Sequence, residues 1–147
     1  MIYSVLKSRM ILSLCTVLAI GISCGQRDKI SNVSRIAIYF TSWGIDTYAD
    51  ITCEDLKSKQ TPLVISDPGK IREFTTVLDS AKLEERTEYD GLDVRICCML
   101  EDSTGNVIAE VSFSETSLMQ IDGKIYDTDE RLLSLVLSYL PADYLTR

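Results

Sequence analysis

The chain has 147 residues, 46% of them hydrophobic, and its 22 acidic and 15 basic residues give a formal net charge of −7. This balance argues against nucleic acid binding, which needs clusters of lysine and arginine, and against electrostatic adhesion to anionic lipid. The chain has no histidine, so Ser-His-Asp and Cys-His machinery is excluded and the commonest metal ligand is missing.

The first 23 residues have the pattern of an export signal. Lys7 and Arg9 form a basic start, and an apolar run of 13 residues extends from residue 10 to residue 22. This run is too short for a membrane-spanning helix, which needs roughly 20 residues. Its length is typical of the core of a signal peptide. Residues 1–23 are therefore predicted to be a cleaved leader.

The end of the leader resembles the bacterial lipobox, in the sequence Gly21-Ile22-Ser23-Cys24. The family usually has an aliphatic residue where this chain has Gly21. The resemblance implies cleavage before Cys24 and acyl chains such as palmitate on its sulfur, which would hold the protein on a bacterial envelope membrane. We expect the outer membrane, on its periplasmic or surface side. Ordinary secretion and an uncleaved anchor are the alternatives.

Removal of the leader makes the chain more acidic. Without Lys7 and Arg9, 13 of the 15 basic residues remain against all 22 acidic residues, a net charge near −9. Residues 24–34 are polar and are predicted to be a tether, and residues 35–147 to be a single domain. If this charge selects a partner, that partner is basic, and the alternative is that the charge serves solubility alone.

Alternating apolar residues predict strands in the first half of the domain. The segments 35–42 (RIAIYFTS) and 46–53 (DTYADITC) alternate on either side of a Trp-Gly pair, which predicts a hairpin. A short third strand follows at 62–66. The period then changes, and a helix over 67–81 is predicted, with Asp67 as N-cap and a proline at its first position.

In the second half of the domain, strands are again followed by a helix. The segments 94–102 and 106–114 predict a second hairpin after an acidic loop at 84–93, and Asp122-Gly123 predicts a third hairpin. A helix over 128–140, begun by Asp127 or Thr128, closes the chain. The expected class is α+β: a mainly antiparallel sheet of about five to six strands with both helices packed on one face.

The cysteines of the domain predict one disulfide. Cys53, Cys97 and Cys98 remain after the leader, and an exported protein can pair two of them. Successive strand residues alternate between faces, so Cys98 shares a core face with Cys53 if both strands lie in one sheet. We therefore expect the pair Cys53–Cys98.

No metal or cofactor is predicted. There is no C-x-x-C motif or second cysteine cluster for zinc. Loops counted from Asp102 and from Asp127 lack the residues that an EF-hand needs. The remaining acidic groups are typical of solvated loops and helix caps.

Three aromatic residues are candidates for partner binding. Trp43, the only tryptophan, and Tyr48 flank the first predicted turn, and Tyr89 lies in the acidic loop. Tryptophan and tyrosine are enriched in binding hot spots. The alternative for Trp43 is that it folds back as a lid on the core.

We expect a non-catalytic binding or inhibitory module anchored by lipid. In size, anchoring and charge the chain resembles the small envelope lipoproteins that inhibit lysozyme, a basic enzyme. Its domain also resembles the many small uncharacterised lipoproteins of Gram-negative bacteria. The alternatives are an accessory subunit of an envelope complex and, last, a carboxylate-based hydrolase. No small-molecule ligand is indicated.

Overall fold

A computed structural model describes residues 30–44 and 48–144. The predicted leader, Cys24 and the tether as far as residue 29 lie outside the described residues. Ile30 is buried, and Val33 packs against the same core, so the packed domain includes the last residues of the predicted tether. Within the described ranges, no helix has the length and apolar character needed to cross a membrane.

The described residues form an α+β fold of six strands and three helices. The strands are β1 (Arg35–Phe40), β2 (Leu63–Ile65), β3 (Ile96–Glu101), β4 (Val107–Phe113), β5 (Leu118–Ile121) and β6 (Lys124–Asp127). The helices are α1 (Cys53–Lys59), α2 (Pro68–Asp79) and α3 (Glu130–Tyr139). All neighbouring strands are antiparallel, in the order β2-β1-β3-β4-β5-β6. The predicted fold class is confirmed.

Helices α2 and α3 pack on one face of the sheet. Their apolar side chains form one core with inward residues of the strands: Ile71, Phe74, Leu78, Leu132 and Val136 with Ile36, Ile38, Cys98, Leu100 and Val111. The Asp67 side chain caps α2 by accepting the Lys70 N–H at 2.9 Å. Helix α3 is capped by Asp129 rather than by Asp127 or Thr128. Both predicted helices are thus confirmed, each with slightly shorter bounds.

The opposite face of the sheet is also covered. Helix α1 and the segment after α2 bury a second core there, which consists of Ala37, Cys53, Leu56, Leu92, Val94, Cys97, Met99, Leu118 and Ile125. Strand β3 therefore lies in the middle of three layers, and its first five residues are all buried.

This second core overturns the predicted disulfide. Cys53 is bonded to Cys97, and Cys98 is a free, buried thiol. Cys98 does point away from Cys97, as alternation requires. However, Cys53 belongs to α1, on the face that Cys97 shares. The prediction was wrong because it placed Cys53 on a strand and assumed one buried face.

The first predicted hairpin is also wrong. Strand β1 pairs with β2 and β3, and residues 48–52 form no strand. Thr52 instead caps α1: its hydroxyl accepts the Asp55 N–H at 3.2 Å, and the Asp55 carboxylate accepts the Thr52 N–H at 3.0 Å. This reciprocal pair satisfies two backbone donors that a helix start leaves unpaired. A helix therefore begins where the sequence alternation was read as a strand.

The other two predicted hairpins are present. Strands β3 and β4 are joined by a turn in which the Asp102 carboxylate accepts the N–H groups of Thr104 and Asn106. These hydrogen bonds, with that from the Thr104 hydroxyl first, lower the pKa of Asp102 to about 2. Strands β5 and β6 are joined by Asp122 and Gly123, with φ values of 48° and 85°. Positive φ at both positions matches the twist of a two-residue hairpin.

The acidic loop at 84–93 starts at the edge of the sheet. Arg86 donates its backbone N–H to the carbonyl of Ile125 at 2.8 Å, and Asp127 donates to that of Glu84 at 3.2 Å. The loop thus covers the free edge of β6 and then contributes Leu92 to the second core. This path brings it back to β3 beside the segment that precedes α1.

Candidate functional site

The turn that carries Trp43 closes one end of the sheet. Strand β1 ends at Phe40, and Thr41 donates its N–H to the Arg95 carbonyl at 3.0 Å. Gly44 has a φ of 82°, a conformation that glycine adopts without steric cost. Its N–H donates to a Glu115 carboxylate oxygen at 2.6 Å. The turn is therefore held by the segment that follows β4.

Trp43 packs against the C-terminal segment of the described chain. Its ring lies edge-on to Tyr144, with centroids 6.4 Å apart, and Tyr144 is also edge-on to Phe40 at 5.3 Å. Such edge contacts are a favourable aromatic geometry. Trp43 is partly buried against the first core, which is the lid arrangement that the sequence left as the alternative. Whether Trp43 also touches a partner stays a prediction.

A buried arginine contacts two carboxylates at this end of the molecule. Arg95 is only 4% exposed, and its Nη2 lies 2.6 Å from Asp93 Oδ2. Its Nε lies 3.2 Å from Glu115 Oε1 but makes no aligned hydrogen bond. A buried charge needs such partners because desolvation is costly. The same two carboxylates bind the backbone of the surrounding loops, so Arg95 positions them.

The loops that carry Tyr48 and Tyr89 meet beside this arginine. The Ile51 N–H donates to Asp93 Oδ1 at 2.9 Å, and the Val94 N–H donates to the Ile51 carbonyl at 2.8 Å. Two loops that are distant in the sequence are thereby joined into one surface. Both tyrosine side chains stand out from it, since Tyr48 is fully exposed and Tyr89 is 48% exposed.

Exposed carboxylates lie on the same two loops as the tyrosines. Asp50, Glu88 and Asp90 are exposed on the same loops. The basic residue of the acidic loop, Arg86, pairs with Asp127, with its Nε 2.8 Å from Oδ1, and its Nη1 also lies 3.9 Å from Glu88 Oε1. We call the exposed residues of 48–50 and 88–90 the two-loop surface. It combines aromatic side chains with negative charge.

A cleft of about 310 Å³ lies between the Trp43 turn and the C-terminal segment. Its size is at the lower end of small-molecule sites. Its walls mix aromatic, hydroxyl, amide and carboxylate groups, from Phe40, Thr41, Ser42, Gln60, Pro141, Asp143 and Tyr144. Tyr144 lines the cleft, and its hydroxyl is buried.

The sequence did not indicate Arg95, Glu115 or Tyr144. One signal was available for Arg95, a charged residue that interrupts the apolar run from Val94 to Leu100. A charge inside a strand whose neighbours are all apolar implies a buried partner. One partner, Asp93, is only two residues away, but the second, Glu115, is 20 residues away in the chain and is brought close by the fold.

Burial changes the acidity of Tyr144. Desolvation raises the pKa of its phenol far above 10.0, and the nearby Glu115 carboxylate raises it further while Arg95 opposes the change. The hydroxyl has no hydrogen-bond partner within the described residues. A folded-state pKa above the unfolded value means that the stability from the neutral phenol is present below pH 10 and is lost as the pH rises past it.

Tyr144→Phe is therefore expected to leave the free energy of unfolding at pH 7 unchanged or to raise it by about 1 kcal/mol. The variant should also lose less stability than the parent between about pH 9 and pH 11. Urea unfolding at neutral and alkaline pH measures both effects. A clear loss of stability at pH 7 would show that the hydroxyl has a partner.

Comparison with protein-family models, with curated proteins and with solved structures found no match to this chain.

Proposed function

We propose that this chain is a lipid-anchored protein of a bacterial envelope, whose domain binds a basic protein partner and catalyses no reaction. The observation that carries the proposal is the two-loop surface, on which Tyr48 and Tyr89 are exposed and whose loops also expose Asp50, Glu88 and Asp90. A large exposed aromatic side chain costs little entropy to immobilise and gives a large contact area. The carboxylates around it favour a partner of opposite charge.

The way the surface is built supports a binding role. The Arg95 network and the contacts at Ile51 hold both loops to the sheet. A surface that is already ordered loses less entropy when a partner binds. The net negative charge also steers a basic partner toward the domain at low ionic strength.

The proposed location rests on two features. The first is the leader with its lipobox-like end at Cys24. The second is the Cys53–Cys97 disulfide, since disulfides persist in exported proteins and are rare in a reducing cytosol. Acyl chains would then add membrane affinity of about 0.8 kcal/mol for each buried CH₂.

The anchor is tested by Cys24→Ala in the full precursor. We expect the parent to fractionate with detergent-extracted membranes and the variant to lose most of this association, because the sulfur that carries lipid is gone. Cys98→Ala is the matched control, because it removes a thiol that is buried in the core. Equal membrane recovery of parent and Cys24→Ala would contradict the lipid assignment.

The binding surface is tested by changing Tyr48 and Tyr89 together to alanine. The tagged, lipidated parent is purified from detergent-solubilised envelopes of its host, and bound proteins are identified by mass spectrometry. We expect one basic protein to be enriched at low salt and its recovery to fall at least about tenfold in the double variant, the loss typical of two hot-spot residues. Val107→Ala, which truncates another exposed apolar residue, should bind like the parent.

The outcomes separate the hypotheses. A partner that both variants retain would contradict the two-loop surface, and stoichiometric recovery of one large complex would favour the accessory subunit. Lysozyme is the first purified basic protein to assay, since the resemblance to lysozyme inhibitors predicts that its activity falls when the domain is added at low salt. No loss of activity at any ratio would remove lysozyme as the partner.

A further inference from the structure

Three potential metal ligands meet on the face of the sheet that α1 covers. The Sγ atoms of Cys53 and Cys97 and a carboxylate oxygen of Glu110 all lie within 4.8 Å of one another. The two sulfurs are joined as a disulfide and are buried. Glu110 comes from β4, the strand next to β3, and is half-buried. Helix, central strand and neighbouring strand thus each supply one group.

The Glu110 carboxylate has no other evident role in the fold. Among the described residues, no hydrogen bond or ion pair engages it, because the nearby Lys57 Nζ pairs with Glu54 at 2.6 Å. A partly desolvated carboxylate without a donor is unfavourable unless something compensates it. Its place beside the two sulfurs suggests a cation.

We propose that reduction of the disulfide turns Cys53, Cys97 and Glu110 into a binding site for one zinc(II) ion. Two thiolates and a carboxylate are ligands that zinc takes, and a fourth, open position is filled by water in sites of this kind. A tetrahedral zinc with bonds of about 2.3 Å to sulfur places its sulfurs about 3.8 Å apart. The disulfide holds its two sulfurs closer together than this, so reduction must first let them separate, and the Glu110 carboxylate oxygen lies within 4.8 Å of both.

The chemistry balances with a dithiol as the reductant. The dithiol gives two electrons and two protons to the Cys53–Cys97 bond and becomes a disulfide, which leaves two thiols on the protein. Zinc binding then releases two protons as the thiols become thiolates. The resulting site carries one net negative charge, and the Lys57–Glu54 ion pair lies near it. A disulfide oxidant takes back the two electrons by thiol–disulfide exchange and becomes a dithiol, which reforms the Cys53–Cys97 bond and releases the ion.

A neighbouring sulfur makes the choice of metal testable. Met99 Sδ lies 3.7 Å from Cys97 Sγ. A thioether is a good ligand for copper(I), whereas a carboxylate is a better ligand for zinc(II). A zinc site therefore depends on Glu110 and not on Met99, and a copper(I) site would show the reverse dependence.

The experiment uses the full chain in detergent, with Cys15→Ser and Cys24→Ser to remove the other thiols outside the domain. The protein is reduced, freed of reductant without oxygen, and titrated with zinc(II) against a chromophoric chelator. We expect one zinc per reduced chain and none for the oxidised chain. Glu110→Gln should weaken binding at least about tenfold, and Met99→Leu should not change it.

Two controls keep the test independent of folding. Cys98→Ala removes the neighbouring thiol on the other face of β3 and should bind zinc like the parent, whereas Cys97→Ala should not. Cobalt(II) replaces zinc as a second readout, because thiolate-to-cobalt absorption reports sulfur ligands directly even if one variant folds poorly. No zinc binding by the reduced parent, equal binding by Glu110→Gln, or loss of binding in Cys98→Ala would each overturn the proposal. Tighter binding of copper(I) that is lost in Met99→Leu would overturn the choice of zinc.

Discussion

Replacing Cys53 and Cys97 together by alanine is expected to lower the free energy of unfolding by about 4 kcal/mol. The bond joins residues 44 apart in the sequence, and a closed loop of this length removes much of the entropy of the unfolded chain. It also ties α1 to the central strand, so its loss exposes the second core. Urea unfolding, followed by the fluorescence of the only tryptophan, measures the change.

Reductant provides the control for this prediction. The parent should lose a similar amount of stability in a dithiol reductant, and the double variant should be insensitive to it. Cys98→Ala should remain sensitive to reductant, because Cys98 is a free thiol in the first core. If Cys98→Ala abolished the sensitivity while Cys97→Ala kept it, the pairing would be the one that strand alternation predicted.

Asp93→Ala is expected to lower the free energy of unfolding by about 3 kcal/mol, the cost typical of removing one partner from a buried ion pair. The change leaves the guanidinium of Arg95 with only Glu115, whose contact is poorly aligned. It also removes the acceptor of the Ile51 N–H. The loop of Tyr48 loses one of its attachments, so we expect partner binding to weaken as well.

The matched control is Asp90→Ala, an exposed carboxylate of the same loop. Substitutions at such positions usually change stability by less than about 0.5 kcal/mol. The two variants have the same change in net charge, so their difference in urea unfolding isolates the Arg95 network. Similar stabilities for Asp93→Ala and Asp90→Ala would show that the Asp93–Arg95 ion pair contributes little to the free energy of unfolding.

Several elements could be predicted because their signals are local. The start of α2 follows from Asp67 and Pro68, which satisfy the first turn within a few residues. The β5–β6 hairpin follows from Asp122 and Gly123, whose backbone conformation sets the turn. The pattern of apolar residues then orients each element toward a core, and it was sufficient for the α+β class.

Helix α1 shows the limit of these signals. Thr52 and Asp55 are a local capping pair that could have been recognised, but the preceding alternation over a few residues favoured a strand. Short segments carry both patterns, and tertiary contacts decide between them. Here Cys53 and Leu56 pack under the second face of the sheet, which is possible only if the segment is helical.

The candidate site was harder to predict from the sequence than α1, because its contacts depend on the fold. The sequence indicated Trp43, Tyr48 and Tyr89 from residue type and loop position alone. It could not indicate that Trp43 lies against Tyr144, nor that Asp93, which pairs with Arg95, joins the loops of the two tyrosines through Ile51. These contacts connect segments far apart in the chain, and side-chain periodicity carries no information about them.

The sequence by itself thus determined the class of fold, the bounds of α2 and α3 to within a few residues, and two of the three predicted hairpins, because caps, turns and periodicity act over a few residues. Only the tertiary structure decided which face of β3 meets Cys53. Both faces of that strand are apolar and buried, so the sequence pattern is the same for either pairing. The two faces differ only in the elements that pack on them. These packed layers determine which cysteines form the disulfide, where α1 lies and how the loops of the candidate site are arranged.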